Sequence, residues 1–141
     1  SPEEELAWFI NDRKEDVEFN INPALKEGKV VLMDRYYFST AAYQGALGFD
    51  PQEIREDNEK FAPIPDRVLI FYNSPEKSLE RIESSREGKS VFEKRDYLID
   101  VQNIFKSFTG ANIRFVSSDA SLEDVHAQVL CEVQDLFELK L

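Results

Sequence analysis

Three short apolar runs constrain this chain more than any other feature. Val30-Val31-Leu32-Met33 and Val68-Leu69-Ile70-Phe71-Tyr72 show no polar alternation, and Asn112-Ile113-Arg114-Phe115-Val116 is a third strand-like run. A strand with one wet face alternates apolar and polar side chains, whereas an unbroken apolar strand suits a parallel sheet covered by helices on both faces. The segments between these runs have helical spacing. The first is expected over Pro2 to Phe19, with Glu3, Glu4 and Glu5 at its positive end and Leu6, Phe9, Ile10, Arg13 and Val17 near one face. Asn22 is placed to cap a second, with Pro23 at its first position and Gly28 as its stop. Further helices are expected over Ser39 to Leu47, Pro51 to Phe61, Ser74 to Ser84 and Glu93 to Phe108. A last one runs to Phe137 from Ser121-Leu122-Glu123-Asp124, which has the form of a capping box. The whole predicts an α/β protein with a parallel sheet, a single domain over residues 1–141 without repeat, low-complexity tract or linker. Three strands are few for such a fold.

Charge and cysteine usage narrow the function classes. Seventeen Lys and Arg against twenty-eight Asp and Glu give a formal charge of −11, the wrong sign for a general nucleic-acid or anionic-membrane surface. Neither nucleic acid nor membrane is therefore an expected partner, and phosphate binding must rest on a few placed arginines. Apolar residues make up 42% of the chain, which argues against global disorder. The single cysteine, Cys131, lies in an apolar helical pattern and reads as a small buried hydrophobe. The single histidine, His126, reads as a surface or boundary residue of the last helix. No apolar run approaches the roughly twenty residues that span a bilayer, and the acidic start has no signal-peptide layout, so a cytoplasmic protein is expected.

The chemistry-bearing residues gather after the first apolar run. In parallel α/β sheets ligands bind beyond the carboxyl ends of strands, which is where Asp34 and Arg35 fall. An aspartate there has the Walker B arrangement, able to hold Mg²⁺ directly or through water, and the adjacent guanidinium suits a phosphate. A polar strand end paired locally gives the same dipeptide. Phe9 and Arg13 stand four apart, so ring and guanidinium share a helix face and can stack on a base and hydrogen-bond its edge. A core phenylalanine beside a surface arginine has the same spacing. Ser39, Tyr43 and Gln44 place a hydroxyl, a phenol and an amide near the same strand end, and equally describe a capped helix with one packed aromatic.

Taken together, these segments resemble the thymidylate kinase family of P-loop nucleoside monophosphate kinases, over nearly the whole chain. Leu6 to Arg13 is similar to the helix bearing a base-stacking phenylalanine and a base-reading arginine. Ala24 to Val31 with Asp34-Arg35-Tyr36 is similar to the most recognisable segment, and Ser39 to Gly45 continues it. Pro65 to Ile70 and Pro75 to Arg81 resemble the next strand and helix. Asp119-Ala120-Ser121, with Val125 beyond, resembles the adenine-side loop and last helix.

The resemblance implies a three-layer P-loop kinase fold, with three of the usual five strands in this chain and a lid loop at about residues 84–93. It implies transfer of the γ-phosphoryl group of ATP, with Mg²⁺, to thymidine monophosphate (dTMP), giving the diphosphate. The acceptor site would span residues 6–45. Arg35 would bind the acceptor phosphate and Asp34 would serve the Mg²⁺ shell. Phe9 would stack on thymine, Arg13 would read its exocyclic oxygen, Ser39 and Gln44 would contact base or phosphate, and Tyr43 would press where a ribose 2′-hydroxyl would sit. Asp119 and Ala120 would line the adenine, and so would Arg81, which is equally a surface residue. Family members form homodimers through helices that include the counterpart of the first, where Val17 and Phe19 fall.

Two departures qualify that picture. Where many bacterial members place Asp-Arg in the lid, this chain has Ser90-Val91, so Arg86 or Lys89 must supply a catalytic lid charge; a solvated loop with incidental charges fits as well. Nor does the sequence contain Gly-x-x-x-x-Gly-Lys-Ser/Thr, the loop that cradles ATP phosphates. The family's first strand, that loop, first helix and second strand are expected before Ser1, the first strand lying between Val30 to Met33 and Val68 to Tyr72. On that expectation the chain is a piece of a longer kinase and is inactive alone. A deoxynucleoside kinase of the same superfamily, or a non-catalytic nucleotide-binding protein that has lost the P-loop, are the alternatives.

Overall fold

The computed structural model describes residues 1–74, 77 and 90–138, and for 90–94 and 138 the backbone only. The chain divides into two compact units, Ser1–Ile64 with Asp96–Ser107, and Pro65–Arg95 with Phe108–Leu141. The expected helix over Ser74 to Ser84 lies almost wholly outside the described residues.

The first unit is helical. α1 spans Pro2–Asp16; Ser1 Oγ accepts from the Glu4 amide while the Glu4 carboxylate accepts from the Ser1 amine, a reciprocal cap. Instead of stopping near Phe19, the chain widens into a π-helical turn, Val17–Ile21, closed by the Asn22 amide donating to the Val17 oxygen, and runs on into α2, Asn22–Lys26. Asn22 is thus a helical residue with φ −61° and not the cap its type suggested. Gly28, at φ +73°, ends α2: its amide donates to Leu25 and that of Lys29 to Ala24, a Schellman closure that needs the left-handed backbone. α3, Tyr37–Gly45, and α4, Pro51–Glu59, pack against each other, α4 being capped by Asp50, whose carboxylate accepts from the amides of Gln52 and Glu53. Tyr37, Phe38, Ala41, Ala42, Ile54, Ala62 and Val101 form the core with Val17 and Ile21. Val101 comes from α5, Ser90–Ser107, which starts three residues before the expected Glu93, so residues 90–93 are helical and not part of the lid loop expected at about residues 84–93.

The run Val30 to Met33 is not a buried strand. It is irregular, with Val30 69%, Leu32 94% and Met33 41% exposed. A strand exists only where a neighbour takes up its amides and carbonyls, and no described residue pairs with this run. Two strands, not three, are therefore present among the described residues.

The second unit carries them. β1, Val68–Tyr72, pairs in parallel with β2, Ile113–Ser117, in the register Val68 with Ile113 through Tyr72 with Ser117. α6, Leu122–Glu138, follows, and Ser121 Oγ accepts from the Asp124 amide at 3.1 Å, as the capping pattern predicted. Arg67 Nη2 donates to both Asp135 oxygens, at 2.7 and 2.6 Å, and Arg114 Nε meets Glu132 at 3.1 Å, so β2 and the residue before β1 are tied to α6 by charge. β1 is less buried than expected, with Phe71 53% and Tyr72 40% exposed, because among the described residues only one strand, β2, pairs with it. His126 is exposed as expected; Cys131 is exposed too, because the apolar pattern around it does not put every member on the packed face of α6.

Candidate functional site

The bend between Met33 and α3 sets the geometry of the first unit. Arg35 is the only described residue other than glycine with positive φ, +69°. That left-handed backbone is disfavoured for a side chain with a Cβ by about 1–2 kcal/mol. Asp34 and Arg35 are both exposed. The Arg35 guanidinium carbon lies 5.4 Å from the centre of the Tyr43 ring, a cation–π contact. Tyr43 is half-buried and held edge-on by Tyr97 at 6.3 Å and Phe105 at 6.5 Å, while the Tyr97 hydroxyl donates to the Tyr43 oxygen at 3.2 Å. Burial pushes the Tyr97 phenol above its ordinary pKa, with a smaller contribution from Tyr43.

A second cluster centres on Arg13. Its Nη1 donates to Asn58 Oδ1 at 2.9 Å and its Nη2 to Thr40 Oγ1 at 3.1 Å, and its guanidinium carbon is 5.5 Å from the Tyr36 ring centre. Burial lowers the Arg13 pKa, opposed by Tyr36, Asp12 and Asp16. Burial likewise raises Tyr36, whose hydroxyl donates to the Pro63 oxygen at 3.3 Å. Phe9, one turn before Arg13 on α1, is partly exposed and meets Trp8 edge-on at 5.4 Å. Ser39 is partly exposed near the start of α3. Gln44 is 2% exposed, and its Oε1 is buried without a partner, an unpaired acceptor that normally costs about 1–3 kcal/mol.

The acceptor-side residues expected from the sequence therefore fall in one unit, where Arg35 meets Tyr43 and Arg13, one turn after Phe9 on α1, centres a second cluster. Thr40, Asn58, Tyr36 and Tyr97 were missed. Asn58 had one readable signal: it follows Ile54 by four and so shares the inward face of α4.

Asp119 lies in the second unit, after β2. Its Oδ2 accepts from the Ser74 amide at 2.8 Å, its main-chain oxygen accepts from Lys77 Nζ at 2.6 Å, and its Oδ1 is 3.9 Å from that ammonium, an electrostatic contact too long for a hydrogen bond. Asp119 thus ties the segments that follow the two strands, and Ala120 beside it is exposed. Arg81, Arg86 and Lys89, with the lid up to residue 89, lie outside the described residues.

Among the described residues no three His, Cys, Asp or Glu side chains converge on a metal-sized space. Mg²⁺ in phosphoryl-transfer sites keeps several waters and takes one or two carboxylates with substrate phosphates, so a single exposed carboxylate such as Asp34 is a fitting donor. No described helix is long and apolar enough to cross a membrane.

The sequence model of the thymidylate kinase family matches residues 1–129. The chain is 45% identical over 137 residues to a thymidylate kinase of Desulfotalea psychrophila, covering 96% of this chain and 67% of that protein. It is 45% identical over 141 residues to a probable thymidylate kinase of Archaeoglobus fulgidus, covering 99% of this chain and 71% of the relative. A thymidylate kinase of Akkermansia muciniphila is 43% identical over 129 residues, 92% of this chain and 62% of its own length. The chain thus spans about two thirds of the length of these curated relatives. With its helices and parallel strands, it falls among the nucleoside monophosphate kinases, transferases of the α/β class. It belongs to the thymidylate kinase family.

Proposed function

We propose that this chain forms the acceptor-nucleotide portion and lid of a single-domain enzyme that transfers the γ-phosphoryl group of ATP to thymidine monophosphate. A phosphate oxygen of the acceptor attacks the γ-phosphorus, the bond to the β–γ bridging oxygen breaks, and thymidine diphosphate and ADP leave. Such a reaction needs alignment and charge neutralisation more than covalent help. The observation that carries the reading is the exposed Arg35 guanidinium held beside the Tyr43 ring, a fixed cation for an acceptor phosphate next to an aromatic wall for its sugar.

In this reading Arg35 grips the acceptor phosphate and Tyr43 fills the space of a ribose 2′-hydroxyl. Phe9 stacks on thymine, Arg13 donates to its exocyclic oxygen, and Ser39 contacts base or phosphate. The unpaired Gln44 Oε1 suits a donor from the ligand, once a small movement opens it. Asp34 would hold Mg²⁺, which would supply neutralisation of phosphate charge. Arg86 or Lys89 serves as the lid cation, and Asp119 and Ala120, with Arg81, form the adenine side. The 141 residues contain no Gly-x-x-x-x-Gly-Lys-Ser/Thr loop, so they are expected not to turn over ATP by themselves. We further propose a cytoplasmic homodimer. Phe19, 68% exposed, supports a helix-mediated contact, while Val17, 4% exposed, belongs to the core.

The test is a coupled assay of ADP formation by the full-length protein with thymidine monophosphate and Mg-ATP. Turnover that falls at least about a hundredfold in Arg35→Ala is expected. No turnover by the wild type, or turnover indifferent to Arg35→Ala, would sink the proposal.

A further inference from the structure

Asn58 is completely enclosed, with a relative exposure of 0%, in a helix otherwise rich in charged residues. A buried amide is costly unless both of its ends are satisfied. Both are: Nδ2 donates to the Ile54 oxygen at 2.7 Å, and Oδ1 accepts from Arg13 Nη1 at 2.9 Å. Thr40, 7% exposed, takes the other arm of the fork through its hydroxyl, and the Tyr36 ring lies 5.5 Å from the guanidinium carbon. Arg13 is therefore fixed by three neutral groups from α3, α4 and the bend before α3. No carboxylate forms an ion pair with it among the described residues. A carboxylate would hold the guanidinium as firmly but would cancel its charge and occupy its N–H groups. An amide and a hydroxyl fix its plane and leave the remaining donors of its five for a ligand.

We infer that Asn58 is a positioning residue for base recognition: it sets the plane of the Arg13 guanidinium so that the unused N–H donors meet a carbonyl oxygen on a pyrimidine and turn away an amino group at the same place. This rests on the proposed contact between Arg13 and the base. Selectivity of this kind arises because a donor aimed at a donor leaves both unpaired in a dry site. An Arg13 free to swing would lose the preference, because it could move aside from an amino group as easily as it reaches a carbonyl.

The test compares equilibrium binding of thymidine monophosphate with that of 5-methyldeoxycytidine monophosphate, which carries an amino group in place of the 4-carbonyl, using the full-length protein. Two variants are used, because Asn58→Ala opens a cavity and threatens the fold. Asn58→Ser keeps a hydroxyl able to bond the Ile54 oxygen one turn back but does not reach Arg13. Circular dichroism confirms folding of each. Asn58→Ser is expected to lower the preference for the carbonyl form about tenfold, through weaker binding of that form together with relief of the donor–donor clash in the amino form. It should add little further loss in an Arg13→Ala background, as coupled residues do. A loss shared equally by both nucleotides marks a purely structural role and overturns the inference, as does an unchanged preference. Should Arg13→Ala itself leave both affinities unchanged, the base-contact reading fails first. Should Arg13→Ala abolish the preference while Asn58→Ser keeps it, the positioning role alone fails.

Discussion

Tyr97 donates its hydroxyl hydrogen to the main-chain oxygen of Tyr43 at 3.2 Å while the two rings meet edge-on at 6.3 Å. With Phe105 on another side, Tyr43 is wedged before any ligand arrives. A wall held this way discriminates by shape. Tyr43→Ala is expected to reduce the preference for the deoxyribose over the ribose acceptor at least about tenfold in competition binding. Tyr97→Phe keeps the ring and loses one hydrogen bond, so it is expected to cost about 0.5–1.5 kcal/mol in urea unfolding and to leave the sugar preference intact. A sugar preference untouched by Tyr43→Ala would remove this tyrosine from the acceptor site.

Arg35 offers a test that separates backbone from side chain. Its φ of +69° suits glycine far better than alanine. Arg35→Gly is expected to be more stable than Arg35→Ala by about 1 kcal/mol in chemical denaturation, although both remove the guanidinium. In the coupled assay the two variants should be equally impaired. If Arg35→Ala proved the more stable variant, the left-handed backbone would not be a property of the folded protein in solution.

What was legible in the sequence followed from local rules. β1 falls on the expected Val68–Tyr72, β2 within one residue of its expected range, and the stop at Gly28 and the start at Ser121 follow from residue type alone. Asp34-Arg35 was legible as a charged pair closing an apolar run but misread as a strand end, since no strand precedes it among the described residues. Val30 to Met33 was not legible, because its composition suits a strand but strand status depends on a partner. Asn58 and Thr40 escaped because a polar residue pointing inward is invisible to hydrophobic periodicity until the cation it holds is known. Cys131 was misread for the converse reason, since an apolar neighbourhood in sequence does not say which side of a helix meets the core.

Gly45 stands at the end of α3 where Pro51 and α5 come close. A Cβ there would lie 2.6 Å from Pro51 Cγ and 3.0 Å from Ile104 Cδ1. The Ile104 side chain can turn aside, but the proline ring cannot. Gly45→Ala is therefore expected to destabilise the protein by about 1–3 kcal/mol despite the better helix propensity of alanine. Urea unfolding measures it, and a stabilised variant would mean that α3 and the start of α4 are further apart than described.

Alkaline pH should weaken the first unit through Tyr37. Its ring is wholly enclosed, with 0% exposure, and its hydroxyl donates to Glu59 Oε1 at 3.1 Å, a carboxylate that also accepts from Arg55 Nε at 2.8 Å. Burial first, then the Glu59 charge and hydrogen bond, raise the phenol well above its ordinary value. The folded state therefore keeps its proton where the unfolded chain loses it. The stabilisation is complete below the unfolded pKa near 10 and is lost as pH rises from there towards the folded value, at about 1.4 kcal/mol per pH unit. Tyr37→Phe removes this titration and leaves Glu59 its arginine partner, at a cost of about 1 kcal/mol at neutral pH. Urea midpoints measured from pH 8 to 11 should fall more steeply for the wild type than for Tyr37→Phe, and parallel curves would show that Tyr37 does not titrate on unfolding.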